Sequence, residues 1–356
     1  MDIVDFESFR GKNVIVTGHS GFKGSWLTAA LLHFGARIYG FSLKKDVELE
    51  FWDAFDCEKD LEVSDRLDIT DYEKVKRRFA DIDPDYVFHL AAQPLVRESY
   101  VDPLGTYQAN TLGTLNICEA IRQGCSKASV VFITTDKVYE NKEWIWGYKE
   151  IDRLNGFDPY SNSKSCAELI IQTYKRCYFD SSNIKVSIAR AGNVIGGGDN
   201  AKDRIIPDCV RSVLNNLPII VRNPHSVRPY QHVLEPIFAY LQIALYQTQN
   251  QALSGEFNIG PQTENTIATG ELVSEFCAKW GDNAKWQVKP IEGALHEASL
   301  LKLDISKFQK LYKWSPKWNI DKTISATIDF YKSKLSGEPV KEIMKRQMLD
   351  YLNQDV

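Results

Sequence analysis

Thr17-Gly18-His19-Ser20-Gly21-Phe22-Lys23-Gly24 is the stretch whose reading decides the fold. It follows Val14-Ile15-Val16, a β-branched run that reads as a buried strand, and precedes residues 25–34, which read as a helix stopped by Gly35. Glycines between a strand and a helix allow a tight turn and close approach of the backbone to a ligand. The helix N-terminus then meets a pyrophosphate. A glycine trio alone says little; the strand-turn-helix context gives it weight. Working outward, residues 36–41 read as a second strand, and 85–90, 129–134 and 185–189 as further buried strands. Helices are expected near 103–122 and 159–179. This alternation predicts an α/β fold with a Rossmann-type, doubly wound parallel sheet. Residues 44–65 are charged and read as an irregular surface excursion. Beyond residue 190 the pattern changes. Gly196-Gly197-Gly198 marks a loop, helices are expected at 207–215 and 234–247, a strand at 219–221, and a helical stretch from 321. The layout expected is a nucleotide-binding Rossmann domain over residues 1–190, rejoined by some later segments. Residues 191–356 would form a smaller C-terminal α/β lobe that mainly binds substrate.

The chain has 356 residues, more than one typical domain, with 44% hydrophobic and 12% aromatic residues to fill a core. Its formal charge is −4, and no basic stretch favours nucleic acid or an anionic membrane, so the expected partner is a small molecule. No apolar run approaches a membrane span. The N-terminus, Met1-Asp2-Ile3-Val4-Asp5, is unlike a secretory signal. Seven cysteines with no C-x-x-C spacing read as reduced thiols of a cytoplasmic protein, not as a metal site or a disulfide framework.

The glycine turn makes Gly18, His19, Gly21, Phe22, Lys23 and Gly24 the expected cofactor contacts. At the end of the second strand an acidic residue normally accepts the ribose hydroxyls of NAD. Here the sequence is Gly40-Phe41-Ser42-Leu43-Lys44-Lys45, with Ser42 as the expected contact and no carboxylate. Lys44 or Lys45 would suit the 2′-phosphate of NADP, so these residues leave NAD and NADP both open. Asp68 and Ile69 are expected at the adenine. Leu90, Ala91 and Ala92 end a strand with small residues against which a cofactor can lie.

Tyr160 and Lys164 stand four apart on a predicted helix and share a face. A tyrosine ionises near ~10, and bringing it to about 7 takes roughly 4 kcal/mol of differential stabilisation. The Lys164 ammonium and a cationic nicotinamide ring are the groups that favour phenolate. Tyr160 would then take the proton of a substrate hydroxyl as hydride leaves its carbon, with Thr135 holding that hydroxyl. Tyr-x-x-x-Lys is common by chance; the glycine turn upstream and Thr135 give it meaning. Asp136-Lys137 adds a second acid/base couple, which alcohol oxidation alone does not need.

With these residues together, the chain resembles the extended short-chain dehydrogenases/reductases from about Gly11 to Trp318. Within them it is most similar to the CDP-glucose 4,6-dehydratases. Residues 18–26, 91–97 and 135–141 carry the likeness, continued by 158–164, 190–199 and 222–229. The resemblance implies tightly held, recycled NAD and dehydration of CDP-glucose at C5 and C6 after oxidation at C4. The related dTDP-glucose dehydratases use an Asp-Glu pair; here the second position is Lys137. Carried over, Asp136 is the acid for the leaving hydroxyl and Lys137 the base for the C5 proton. At rest an isolated pair is carboxylate and ammonium, the wrong states for both tasks. The acid/amine form holds the same number of protons, so a shift within the pair arms it.

For the substrate, Arg204, Arg222 and Arg228 stand at loop-like positions suited to a diphosphate. The resemblance puts Arg228 near the phosphates. Asn193 would meet phosphate or sugar oxygens, His296 and Glu297 the ribose or phosphate, and Gln93 and Asn110 the sugar or nicotinamide pocket, Asn110 also reading as a scaffold residue. The resemblance implies a homodimer or homotetramer, with helices near 103–122 and 159–179 as dimer candidates. It also implies a place in making the deoxysugars of bacterial surface polysaccharide. A nucleotide-sugar 4-epimerase, an NADP-dependent sugar reductase and a non-catalytic NAD sensor are the other readings. Intact Thr135, Tyr160 and Lys164 argue against the last.

Overall fold

In the computed structural model of the chain, residues 5–43, 46–262, 266–281, 284–289 and 300–354 are described. Seven parallel strands form the central sheet. They are β1 (Asn13–Thr17), β2 (Arg37–Ser42), β3 (Val63–Arg66), β4 (Tyr86–His89), β5 (Ala128–Thr135), β6 (Ile184–Ala191) and a last strand, Glu256–Ile259. Their spatial order runs from the last strand through β6, β5, β4, β1 and β2 to β3. Every residue of β4 and β5 is buried, as expected of a parallel sheet covered on both faces. Order reverses at β1, where β4 lies on one side and β2 on the other. A crevice at such a switch point is where open α/β sheets bind ligands.

Two apolar layers cover the sheet. One gathers Phe79, Ile117, Ile121, Ile171 and Phe179 from helices packed on one face. The other gathers Trp26, Leu27, Ile237, Leu241, Phe330 and Met344 on the opposite face, and it joins the sheet to the C-terminal third of the chain. The helix Leu234–Gln249 is buried on nearly all sides, and the strand Glu256–Ile259 that follows it pairs with β6. Smaller two-stranded ladders join Ile219–Val221 to Trp286–Val288, and Val227–Arg228 to Ile267–Ala268.

Within 44–65 the structure differs from the irregular excursion expected. Asp46–Phe55 is a helix and Val63–Arg66 an edge strand. Phe51, Trp52 and Phe55 are buried, and spacing of this kind puts three large apolar groups on one helical face. Asp53 between them, and Asp46, Glu48 and Glu50 just before, hid that stripe in the sequence. The expected helices near 103–122 and 159–179 each contain a π-helical stretch, Gln108–Leu112 and Lys175–Phe179. Insertions of this type recur beside functional sites. Among the described residues, no helix is long and apolar enough to cross a membrane.

Candidate active site at the sheet switch point

The glycine turn sits at the C-terminal end of β1 and opens the helix α1, Phe22–His33. Gly18 has φ +76°, and a Cβ there would lie 2.8 Å from the Ala91 nitrogen; one on Gly24 would lie 1.9 Å from the Gly18 carbonyl oxygen. Only glycine fits either place. Gly21 caps α1 without a side-chain hydrogen bond, so the first amides of α1 stay open to an anion. Thr17 Oγ1 accepts from the Ala91 amide at 3.3 Å, which draws the Leu90-Ala91-Ala92 segment against the turn. This geometry fits a dinucleotide diphosphate.

The other expected cofactor residues lie around this turn in different ways. His19 is buried, with Nε2 3.1 Å from Ser64 Oγ and its ring edge-on to Trp52. Ser42 Oγ accepts from the Ser20 amide at 3.2 Å and from Ser20 Oγ at 3.0 Å, so it ties β2 to the turn. Asp68 is exposed and folds back on Thr70, while Ile69 is buried against Gly113. Phe22 packs towards Gly196. Lys23 is half-buried in the first turn of α1. Burial and the cations Arg204, Lys164 and Lys137 push its ammonium down to about 7, against the pull of Asp136. Lys44 and Lys45 lie outside the described residues, and so do His296 and Glu297.

Asp158 and Pro159 set Tyr160. Asp158 accepts from the Ser161 amide at 2.9 Å and from Ser161 Oγ at 2.6 Å, capping the helix Pro159–Tyr174. Such a cap contributes ~1 kcal/mol. Tyr160 then falls in the first turn, and Lys164 follows four residues later on the same buried face. Lys164 Nζ donates to the Ile133 carbonyl at 3.2 Å. Burial pulls its ammonium down to about 8, and the Glu168 carboxylate opposes that. Burial pushes the Tyr160 phenol up to about 12, despite its hydrogen bond with Thr135. In the protein alone, then, Tyr160 is a protonated phenol.

Thr135 ends β5, and its backbone leads directly into Asp136 and Lys137. Thr135 Oγ1 donates to Asp136 Oδ1 at 3.0 Å, and Lys137 Nζ donates to the same oxygen at 3.0 Å. The Asp136 side chain is fully buried, whereas that of Lys137 is 31% exposed. Asp136 Oδ2 is buried with no hydrogen-bond partner among the described residues. Lys137 Nζ also donates to Asn193 Oδ1 at 3.3 Å, which brings the segment after β6 to the dyad. Thr135, Asp136, Lys137, Tyr160 and Asn193 therefore share one crevice beside the glycine turn.

The remaining residues separate into two groups. Gln93 is occupied internally: Nε2 donates to the Leu95 carbonyl and Thr106 Oγ1, and Oε1 accepts from the Leu95 amide. Asn110, in the π-helical turn, binds the Gln93 backbone on both sides and donates to Ser163 Oγ at 2.9 Å. The arginines form the second group. Arg204 pairs with Asp199 at 3.0 Å, and its charge reaches both Lys23 and Tyr160. Arg222 pairs with Asp203 at 2.5 Å, and Arg97 meets the same carboxylate at 3.4 Å. Arg228 donates to the Val227 carbonyl at 3.0 Å. Sequence reasoning did not single out Glu168 or Arg190, a fully buried ion pair behind Lys164. The spacing Tyr160, Lys164, Glu168 was the available signal.

The family model described as GDP-mannose 4,6 dehydratase matches residues 15–327. CDP-glucose 4,6-dehydratase of Salmonella typhimurium is 42% identical over 358 residues, covering 99% of each chain. UDP-glucose 4-epimerase of Thermus thermophilus, solved with NAD, superposes with a TM-score of 0.76 at 26% identity, covering 90% of this chain and 99% of that one. dTDP-glucose 4,6-dehydratase of Bacillus anthracis, also solved with NAD, gives 0.75 at 19% identity over 92% and 98%, a likeness of fold.

Proposed function

Because this chain belongs to the GDP-mannose 4,6-dehydratase family, we propose that it dehydrates CDP-D-glucose to CDP-4-keto-6-deoxy-D-glucose with NAD as a recycled cofactor. The observation that carries this reading is the buried Asp136 carboxylate, held by Lys137 and Thr135 in the crevice of Tyr160. Oxidation alone needs Tyr160, Lys164 and Thr135; the dyad is the part that elimination needs.

Bound NAD supplies the hydride acceptor for C4 and donor for C6, and its cationic ring favours the Tyr160 phenolate. Tyr160 takes the C4 hydroxyl proton, Thr135 orients that hydroxyl, and Lys164 holds positive charge beside the phenolate. A ketone at C4 makes the C5 proton acidic, because the resulting carbanion is an enolate. Lys137 takes the C5 proton, and Asp136 protonates the departing C6 hydroxyl. The resting ammonium and carboxylate exchange one proton along their 3.0 Å contact to reach those states. Their shared proton count makes that exchange independent of solvent. Water leaves, the hydride held by bound NAD would add to C6, Lys137 gives a proton back to C5, and no net redox change remains.

Gly18, Gly21 and Gly24 cradle the NAD diphosphate, with His19, Phe22, Lys23, Ser42, Asp68, Ile69, Leu90, Ala91 and Ala92 around the rest of the cofactor. Arg204, Arg222 and Arg228 serve the substrate diphosphate, and Asn193 its sugar side. The lobe formed mainly by residues 191–356 holds the nucleotide sugar. Exposed Val101, Leu104, Leu112 and Leu169 on helices of one face support a homodimer there. The same reading gives the protein a cytoplasmic place in deoxysugar and lipopolysaccharide O-antigen synthesis.

Product analysis across a panel of nucleoside-diphosphate glucoses with catalytic NAD⁺ tests reaction and base preference together. CDP-glucose should give the base-induced absorbance of a 4-keto sugar. Accumulation of CDP-galactose would point to 4-epimerisation instead.

A further inference from the structure

Tyr160, Lys164 and Glu168 form one buried stripe along the helix Pro159–Tyr174. The mechanism uses the first two. Glu168 is fully buried, yet it touches neither crevice nor solvent. Its carboxylate instead receives Arg190 from β6 with a closest contact of 2.5 Å, and Thr134 Oγ1 from β5 at 2.5 Å. Thr134 and Arg190 are in-register partners across the two strands. Thr134 immediately precedes Thr135, and Arg190 stands three residues before Asn193. Arg190 is in turn held by the Tyr139 hydroxyl at 2.7 Å and the Glu150 carbonyl at 3.1 Å. Tyr139 donates onward to Asn258 at 2.7 Å.

A buried ion pair is a poor stabiliser, since desolvation offsets most of its attraction. Its placement here does something a packed apolar pair would not. We propose that Glu168, clamped by Arg190 and Thr134, is a positioning residue that keeps Lys164 charged and in place beside Tyr160. This rests on the oxidation couple under Proposed function and names what sustains it.

The surroundings of Lys164 leave Glu168 as its counter-charge. From its own helix come Tyr160, neutral as a phenol, and Glu168. From β4 comes His89, held neutral between Thr17 and Thr114, and from α1 comes Lys23, whose own ammonium is pushed down to about 7. Among the described residues, its ammonium donates to the Ile133 carbonyl and to no carboxylate. Arg190 faces Glu168 from β6, so the guanidinium fixes the carboxylate without replacing it. Removing the carboxylate leaves burial, and in the single variant the uncompensated Arg190 guanidinium, acting against the charge of Lys164.

The test compares the wild type with Glu168→Gln, and with Glu168→Gln/Arg190→Gln, which leaves no unbalanced charge buried. First, transient absorbance at 340 nm in a single turnover with CDP-glucose is followed against pH. The alkaline limb of that rate should move at least about one pH unit towards acid in both variants, the size expected for loss of a neighbouring charge. Glu168→Asp, which keeps the charge, should hold the limb near the wild-type position. Second, thermal midpoints of the cofactor-free proteins are followed against pH. A Lys164 that deprotonates earlier in the folded variant, but not in the unfolded chain, makes the variant's deficit shrink as pH rises towards 8. A folded variant whose limb and midpoint difference both ignore pH overturns the proposal, whatever its rate. No 340 nm signal in the wild type would instead strike at the reaction proposed above.

Discussion

Lys137 Nζ and Asp136 Oδ1 lie 3.0 Å apart, the lysine partly solvated and the carboxylate sealed from water. An acid that must protonate a leaving hydroxyl and an amine that must accept a C–H proton need opposite charge states from those at rest. Direct contact lets one proton hop serve both. Lys137→Met removes the amine while leaving Thr135 and Tyr160 untouched. The variant should still develop 340 nm absorbance with CDP-glucose and then stall, with turnover down by about 10²–10⁴. In D₂O the wild type should place deuterium at C5 of the product. Unimpaired turnover of the methionine variant, or product without deuterium, would dismiss the dyad.

Tyr160 is the next test, because its hydroxyl is protonated in the protein alone. Tyr160→Phe keeps the ring that fills the first turn of its helix but has no proton to give or take. Hydride transfer should fall by about 10²–10⁴, the share ordinarily carried by one general base. Substrate affinity, measured calorimetrically, should change little. A variant that keeps most of its 340 nm burst would exonerate the phenol and leave Lys137 or Lys23 to be tried as base.

Much of this arrangement was legible in the residues. β-branched and apolar runs located β1, β5 and β6, the first of them bounded by Gly11 and Gly18, since a strand buried on both faces has no polar side to blur it. Thr135, Asp136 and Lys137 were placed correctly at a strand end because the strand itself was clear. The helix Asp46–Phe55 was hidden, since Phe51, Trp52 and Phe55 stand among acidic residues and reveal their common face only when a core exists to receive it. Glu168 and Arg190 were hidden for another reason. A buried ion pair joins residues 22 apart in sequence, and neither the four-residue step from Lys164 to Glu168 nor the place of Arg190 at the head of 190–199 says that the two meet. The same holds for Gln93, whose amide is consumed by Leu95 and Thr106.

Gly24 offers a test of the cofactor cradle that leaves every polar side chain in place. A methyl group there would have to sit 1.9 Å from the Gly18 carbonyl oxygen. The glycine turn and α1 must therefore separate, which pulls the first amides of α1 away from a bound diphosphate. Gly24→Ala should weaken NAD binding at least about tenfold, a loss of ~1.4 kcal/mol, measured by fluorescence or calorimetric titration of the purified protein. Unchanged affinity in a folded variant would mean that the diphosphate sits elsewhere.

Far from the crevice, Glu235 carries the fold's own pH dependence. It is fully buried in the helix Leu234–Gln249 and accepts from the Lys317 amide at 2.9 Å, the Trp318 amide at 2.7 Å and the Tyr351 hydroxyl at 2.8 Å. Burial, the largest influence, still pushes its carboxyl up to about 7. The unfolded chain ionises near ~4.3, so between those values the folded state holds the extra proton. Stability contributed at this site therefore falls as pH rises through that window. Glu235→Gln removes the ionisation and keeps the geometry, because its carbonyl can accept both amides and its NH₂ can donate to Tyr351. The variant's thermal midpoint should match the wild type towards pH 4.5 and exceed it above pH 7, by up to ~1–3 kcal/mol in stability. If the variant melts at or below the wild type at pH 8, the three donors outweigh burial, and the carboxylate is what pins the C-terminal helix Val340–Asn353 to the core.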